Sequence, residues 1–262
     1  MKAILAAIFA TLLFSFGSAA RAGEVQVAVA SNFSGPMQVL GDEFFKASGH
    51  RATIVSGATG KLYAQIKNGA PFDAMLSADD RAPRQLENDG LAVPGSRFTY
   101  ALGKLVLYSA KQNLVDDQGA VLRSKSFEHL AIANPKVAPY GSAAIAVLTR
   151  LGLLAAIRPK LVEGENIAQT LQFVASGNAE LGFVAWSQLL VEGKPRAGSF
   201  WLVPESLYPA IRQDAVLLKR GENKVAAKQL IEFLKSETAR QIIARSGYSL
   251  APVPSAQRKA AP

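Results

Sequence analysis

The chain has 262 residues, of which 49% are hydrophobic and 19% charged, and its formal net charge is +9. This composition excludes a disordered or collagen-like protein and is sufficient for a sizeable core. The absence of cysteine excludes disulfide frameworks, thiolate zinc sites, iron–sulfur clusters and cysteine nucleophiles. Two histidines, His50 and His129, are too few for a histidine-rich metal site.

The first 22 residues have the features of a secretory signal peptide. Lys2 supplies a positive start, residues 3–16 form an apolar stretch too short to span a membrane, and residues 20–22 (Ala-Arg-Ala) form a small-x-small cleavage pattern. Cleavage before Gly23 removes Lys2 and Arg21, which leaves 27 basic against 20 acidic residues and a net charge of +7. We expect a soluble, exported mature chain, because no other apolar run approaches spanning length.

Strand and helix patterns then alternate along the mature chain. Strands are predicted at 25–30, 52–55, 72–76, 104–109, 130–133 and 181–186, with an extended segment at 208–219. Helices are predicted at 37–45, 61–67, 84–89, 142–151, 167–175 and 223–245. This alternation predicts an α/β fold with largely parallel sheets.

No Pro/Gly/Ser-rich linker divides the mature chain at a single point. We therefore predict a discontinuous first domain (residues 23–104 plus 214–262) and an inserted second domain (residues 105–213). The extended stretches near Lys104 and Gln213 are the expected crossing points.

Common catalytic and nucleic-acid signatures are missing from the sequence. There is no P-loop, GxSxG nucleophile elbow or GxGxxG fingerprint, and the adjacent acidic pairs fit helix caps or solvated surface. The basic residues are scattered and do not form a run interleaved with aromatic residues. The sequence therefore predicts neither an enzyme nor a nucleic-acid-binding protein.

Four turns that precede predicted helices are rich in small hydroxyl or amide residues and nearly free of charge. They are residues 31–34, 56–60, 139–142 and 166–167. Helix N-termini offer unpaired N–H groups and a partial positive charge, so several that converge would bind an anion without Lys or Arg. When each turn is taken alone, ordinary helix capping is the better explanation.

Longer strings around these turns resemble the periplasmic molybdate-binding proteins of ABC importers. In chain order they are Ser31-Asn32, SGATGKLYAQI (56–66), GAPFDAMLSAD (69–79), NPKVAPYG (134–141) and LGFV (181–184). The resemblance runs over essentially the whole mature chain. It implies a two-domain periplasmic-binding-protein fold (type II-like), in which each domain is a mixed, mostly parallel sheet flanked by helices and the ligand lies in the interdomain cleft.

The resemblance also implies which residues contact the oxyanion. These contact residues are Ser31, Asn32, Thr59, Tyr140 and Ile167, the last through its backbone N–H group. Hydroxyl, amide and backbone donors suit molybdate, a tetrahedral dianion whose oxygens only accept hydrogen bonds. No resident cofactor is implied, and molybdenum is present only within the bound oxyanion, without a direct protein–metal bond.

The function implied is capture of molybdate, and also of tungstate, in the periplasm and its delivery to an ABC transporter permease by a monomer. A receptor for sulfate, thiosulfate or another oxyanion could use the same helix termini, because selection among these anions depends on cavity size. An exported α/β enzyme is a further alternative, since a fold alone does not fix an activity.

Overall fold

A computed structural model describes residues 22–191 and 193–251 of the chain. The predicted signal peptide, apart from its last residue, lies outside this range. Among the residues described, no helix combines the length and the apolar character that crossing a membrane requires.

Strands and helices alternate along much of the described chain. The strands are β1 (Glu24–Ala30), β2 (Arg51–Gly57), β3 (Ala74–Leu76), β4 (Phe98–Gly103), β5 (Leu105–Ser109), β6 (Leu130–Ala133), β7 (Leu161–Gly164), β8 (Leu181–Ala185), β9 (Leu190–Val191), β10 (Lys194–Pro195), β11 (Ser199–Leu202) and β12 (Ile211–Leu217). The helices are α1 (Ser34–Ser48), α2 (Thr59–Lys67), α3 (Arg81–Asn88), α4 (Pro139–Arg150), α5 (Leu154–Ile157), α6 (Ile167–Ala175), α7 (Trp186–Leu189), α8 (Val225–Phe233) and α9 (Glu237–Arg245). Strand β4 is followed directly by β5, and helix α8 by α9.

Two five-stranded sheets organise the fold. The first has the strand order β2-β1-β3-β12-β4, and only β12 runs opposite to the other four strands. The second has the order β11-β5-β8-β6-β7, and only β5 is reversed. The predicted mixed, mostly parallel sheets are therefore confirmed.

The chain crosses between the sheets twice. It leaves the first sheet at the end of β4 and enters the second through the single residue Lys104. It returns over residues 203–210 and rejoins the first sheet with β12, which contains Gln213. The boundaries of the two predicted domains, residues 23–104 plus 214–262 and residues 105–213, stay a prediction.

Apolar side chains bury both faces of each sheet. On the first sheet, Phe44 of α1 and Leu230 of α8 share one cluster, whereas Leu62 of α2 packs on the opposite face. On the second sheet, Val147 of α4 and Val174 of α6 belong to separate clusters. Burial of both faces explains why the strands β3, β6 and β8 are apolar and buried throughout, as is typical of central strands in α/β sheets.

Several predicted elements differ from the observed ones in extent. The single helix predicted at 223–245 is wrong: the chain breaks between α8 and α9, where the Ser236 hydroxyl accepts the Ala239 N–H at 3.2 Å and starts a new helix. Helices α2 and α4 begin at Thr59 and Pro139, earlier than predicted. The strands β4, β7 and β11 were not predicted, because each is short or only partly apolar.

Candidate functional site

One cavity between the two sheets brings the four predicted turns together. All five predicted contact residues line it: Ser31, Asn32, Thr59, Tyr140 and Ile167. The other lining residues are small or apolar: Ala30, Gly57, Ala58, Ala78, Ala138 and Pro139. The lining therefore contains no charged side chain.

The cavity lies at the carboxyl ends of parallel strands from both sheets. In the first sheet, β1 ends at Ala30 and β2 ends at Gly57, so the residues that follow them emerge at the same edge. In the second sheet, β6 leads into the turn before α4, and its parallel neighbour β7 leads into the turn before α6. Ligands of open α/β sheets bind at such edges, where helix N-termini converge.

Backbone N–H groups at the starts of three helices are available to a ligand. Thr59, Tyr140 and Ile167 occupy the first turns of α2, α4 and α6, where the helix itself supplies no carbonyl acceptor. No acceptor for these three N–H groups occurs among the described residues. Each helix also places the positive end of its dipole at the cavity.

The start of α6 shows how the sequence reserves one of these donors. The Asn166 side chain accepts the N–H groups of Ala168 at 2.9 Å and Gln169 at 3.1 Å, so it caps the helix. This cap leaves the Ile167 N–H unused. Ile167 is 3% exposed, so its donor is shielded from bulk water.

Two hydroxyl groups add side-chain donors from the first sheet. Thr59 Oγ1 accepts the Ala78 N–H at 3.0 Å, so its own hydrogen is free to bond a ligand. Ser31 is 8% exposed, and its Oγ has no hydrogen-bond partner in the described part of the chain. Ser31 directly follows β1, and Thr59 follows β2 after one residue, Ala58.

The Asn32 side chain has a different role from the one expected. Its Nδ2 donates to Gln213 Oε1 at 2.8 Å and to the Tyr248 hydroxyl at 2.9 Å, which uses both amide hydrogens. The expectation that this amide donates to the oxyanion therefore conflicts with the geometry. Asn32 can still offer its backbone N–H, since it lies in the short 3₁₀ turn that precedes α1.

The Tyr140 hydroxyl accepts a hydrogen bond from Gln213 Nε2 at 3.2 Å. Burial raises the pKa of this phenol well above its usual value, and the neighbouring Tyr248 raises the pKa further. The phenol therefore stays protonated at neutral pH and keeps a hydrogen to donate. The sequence did not identify Gln213 as a partner of Tyr140. It indicated only that Gln213 lies in the extended segment by which the chain returns to the first sheet.

Polar contacts close the rim of the cavity between the two sheets. The Gly60 N–H at the start of α2 donates to the Val137 carbonyl at 2.8 Å. Nearby, Lys61 Nζ lies 3.1 Å from a Glu165 carboxylate oxygen, with both side chains about half exposed or more. Glu165 adjoins the Ile167 turn in sequence, but it faces this ion pair and does not line the cavity.

The chemistry of the lining is that of hydrogen-bond donation. Within the described ranges, no group of three or more His, Asp and Glu residues is arranged to hold a metal ion. His50 lies at the far end of β1, where its Nδ1 accepts the Gly23 N–H at 2.8 Å. The cavity is thus built to receive a small acceptor-rich anion.

Comparisons with known proteins agree with this geometry. ModA molybdate-binding proteins from Azotobacter vinelandii and Rhodobacter capsulatus are 56% and 50% identical to this chain, covering 88% and 90% of it and 92% of each relative. The solved structure of the Azotobacter vinelandii periplasmic molybdate-binding protein superposes with a TM-score of 0.85 at 45% identity, covering 87% of this chain and 100% of that one. The predicted resemblance to molybdate-binding proteins is therefore confirmed. Because residues 25–249 also match the family model for bacterial extracellular solute-binding proteins, this chain belongs to that family.

Proposed function

We propose that this protein captures molybdate in the periplasm and delivers it to the permease of an ABC transporter. The observation that carries the proposal is the convergence of unused N–H and O–H donors from both sheets on one uncharged cavity. Two relatives that are 50% and 56% identical to this chain are named as molybdate-binding proteins, which supports the same ligand.

The donors suit a fully deprotonated oxyanion. Molybdate at neutral pH is a tetrahedral dianion, so each of its oxygens accepts hydrogen bonds and none donates. Hydrogenphosphate carries a proton that needs an acceptor, and the lining has no carboxylate to accept it. The positive ends of the helix dipoles at α2, α4 and α6 offset the ligand charge without Lys or Arg.

Each predicted contact residue then has a specific part. Ser31 donates through its hydroxyl, Thr59 through its hydroxyl and N–H, Ile167 through its N–H, and Asn32 through its N–H alone. Tyr140 donates through its N–H and its protonated phenol. The donors come from both sides of the cavity, so the ligand draws the two sheets together as it binds.

Tungstate is proposed as a second ligand, because it is also a tetrahedral, fully deprotonated dianion. Sulfate shares that charge and shape but is smaller, so selection against it depends on the cavity size. No resident cofactor is proposed, and the protein is proposed to act as a monomer without enzymatic activity. The signal-peptide pattern at residues 1–22 supports export to the periplasm.

Isothermal titration calorimetry of the mature chain with molybdate, tungstate, sulfate and phosphate tests the proposal. We expect the two larger dianions to bind more tightly than sulfate and phosphate to show the weakest binding. Sulfate binding as tight as molybdate binding would refute the specificity. Absence of binding by all four anions would refute the oxyanion site itself.

A further inference from the structure

Gln213 lies on β12, the strand by which the chain returns to the first sheet, and its side chain is fully buried. The pairing register of β12 with β4 shifts between Gln213 and Asp214. Irregularities of this kind re-aim a side chain out of the regular alternation of a strand. Gln213 does not line the cavity, so a direct ligand contact is not its role.

The amide of Gln213 connects residues from the two sides of the cavity. Its Oε1 accepts from Asn32 Nδ2 at 2.8 Å and from the Tyr100 hydroxyl at 3.1 Å, both on the side of the first sheet. Its Nε2 donates at 3.2 Å to the hydroxyl of Tyr140, which belongs to α4 beside the second sheet. One buried side chain therefore holds two of the proposed contact residues relative to each other.

The other crossing strand encloses the same hydrogen bond. Gly103 ends β4, where the chain leaves the first sheet. A Cβ atom added at Gly103 would lie 2.2 Å from the Tyr140 hydroxyl oxygen and 2.6 Å from Gln213 Nε2. Both distances are too short for a non-bonded contact, so only glycine fits at this position. Both crossing strands thus converge on the contact between Tyr140 and Gln213. A change in the angle between the sheets, which must occur at these strands, changes this contact.

We propose that Gln213 is a positioning residue for oxyanion binding, which holds the Asn32 turn and Tyr140 in the relative placement that the ligand requires. This inference rests on the proposed function. Without Gln213, the Asn32 amide and the Tyr140 hydroxyl are buried groups that each lose a partner. The lost hydrogen bonds destabilise the ligand-bound arrangement, in which the two sides of the cavity are held together. We therefore expect the bound ligand to dissociate faster.

The test compares Gln213→Met with the neighbouring variant Asp214→Asn. Asp214 is also fully buried, but its partners Arg97 (2.6 Å) and Thr99 (2.7 Å) both lie on the side of the first sheet. We expect both variants to lower the melting temperature. Only Gln213→Met is expected to raise the Kd for molybdate, by about ten- to a hundredfold, chiefly through faster dissociation in stopped-flow measurements.

A double-mutant cycle with Tyr140→Phe tests whether Gln213 acts through Tyr140. We expect the double variant to bind molybdate about as weakly as Tyr140→Phe alone, because without the Tyr140 hydroxyl Gln213 has no phenol left to position. Full additivity of the two losses would overturn the proposed route, and a Gln213→Met variant with the wild-type Kd would overturn the positioning role.

Two further outcomes keep the test decisive. If Gln213→Met does not fold, Gln213→Glu replaces it, because a carboxyl group keeps an acceptor for Asn32 and Tyr100. The inference is supported if the Kd of Gln213→Glu rises with pH as the carboxyl group ionises, while the wild-type Kd does not depend on pH. It is overturned if the two proteins have the same Kd at every pH. Failure of the wild-type protein to bind any oxyanion would instead refute the proposed function.

Discussion

Replacing Thr59 by Val removes one hydroxyl from the cavity while nearly preserving the shape of the side chain. That hydroxyl accepts the Ala78 N–H at 3.0 Å and has its own hydrogen free for the ligand, and Thr59 is only 3% exposed. The substitution therefore affects two separate quantities, the stability of the ligand-free protein and its affinity for molybdate.

Each effect has an expected size. Leaving the buried Ala78 N–H without an acceptor costs about 1–3 kcal/mol of unfolding free energy. For a chain of this length, that corresponds to a melting temperature lower by about 2–4 °C per kcal/mol. Loss of a hydrogen bond to an anion costs about 1.5–3 kcal/mol of binding free energy, which raises the Kd roughly ten- to more than a hundredfold. The Thr59 N–H remains, so binding is weakened and not abolished.

Calorimetry separates the two effects. Differential scanning of the ligand-free protein gives the change in stability, and isothermal titration with molybdate gives the change in Kd. The matched control is Thr59→Ser, which keeps the hydroxyl and is expected to keep most of the affinity. A Thr59→Val protein that is less stable but binds molybdate within about twofold of the wild-type Kd would refute the ligand role of the hydroxyl.

Three other predictions concern pH, a helix cap and the rim. The raised pKa of Tyr140 predicts a molybdate Kd that is constant from about pH 6 to pH 9, which titration calorimetry checks. It also predicts that the stability falls above about pH 10, because the phenol of the unfolded chain then loses a proton that the buried phenol retains. Urea unfolding at several pH values checks this second expectation. Asn166→Ala is expected to cost about 1 kcal/mol of stability and to weaken molybdate binding, because the cap that places the Ile167 N–H is lost; an unchanged Kd would contradict this link. Gly60→Ala places a Cβ atom 3.0 Å from Val137 Cα, which pushes the two sides of the rim apart. We therefore expect a higher molybdate Kd and, in small-angle scattering with molybdate, a larger radius of gyration. Wild-type values of both would contradict this expectation.

The order of the elements could be predicted because it depends on local patterns. Apolar runs bounded by polar turns identified β1, β2, β6 and β8, and Asn166 before an apolar helix identified the start of α6. The break between α8 and α9 was missed, because Ser236 interrupts an amphipathic pattern that otherwise continues on both sides. Short strands such as β7 were missed because their identity depends on pairing with a neighbour.

The sequence by itself determined which residues can donate to an anion. The turns at Ser31, Thr59, Tyr140 and Ile167 carry small, uncharged groups at helix starts, and the resemblance to molybdate-binding proteins identified the same positions. These are properties of residue type and of position within a single element. They do not depend on how the two sheets are arranged.

Only the tertiary structure decided which of these donors remain free and what holds them in place. The Asn32 amide donates both of its hydrogen atoms to Gln213 and Tyr248. These partners lie 181 and 216 positions away in the chain, so no local pattern could reveal them. The same applies to Gln213, which is buried between Asn32 and Tyr140 because both crossing strands meet there. A hydrogen-bonding group has a limited number of partners, and the fold alone determines which of them come within reach.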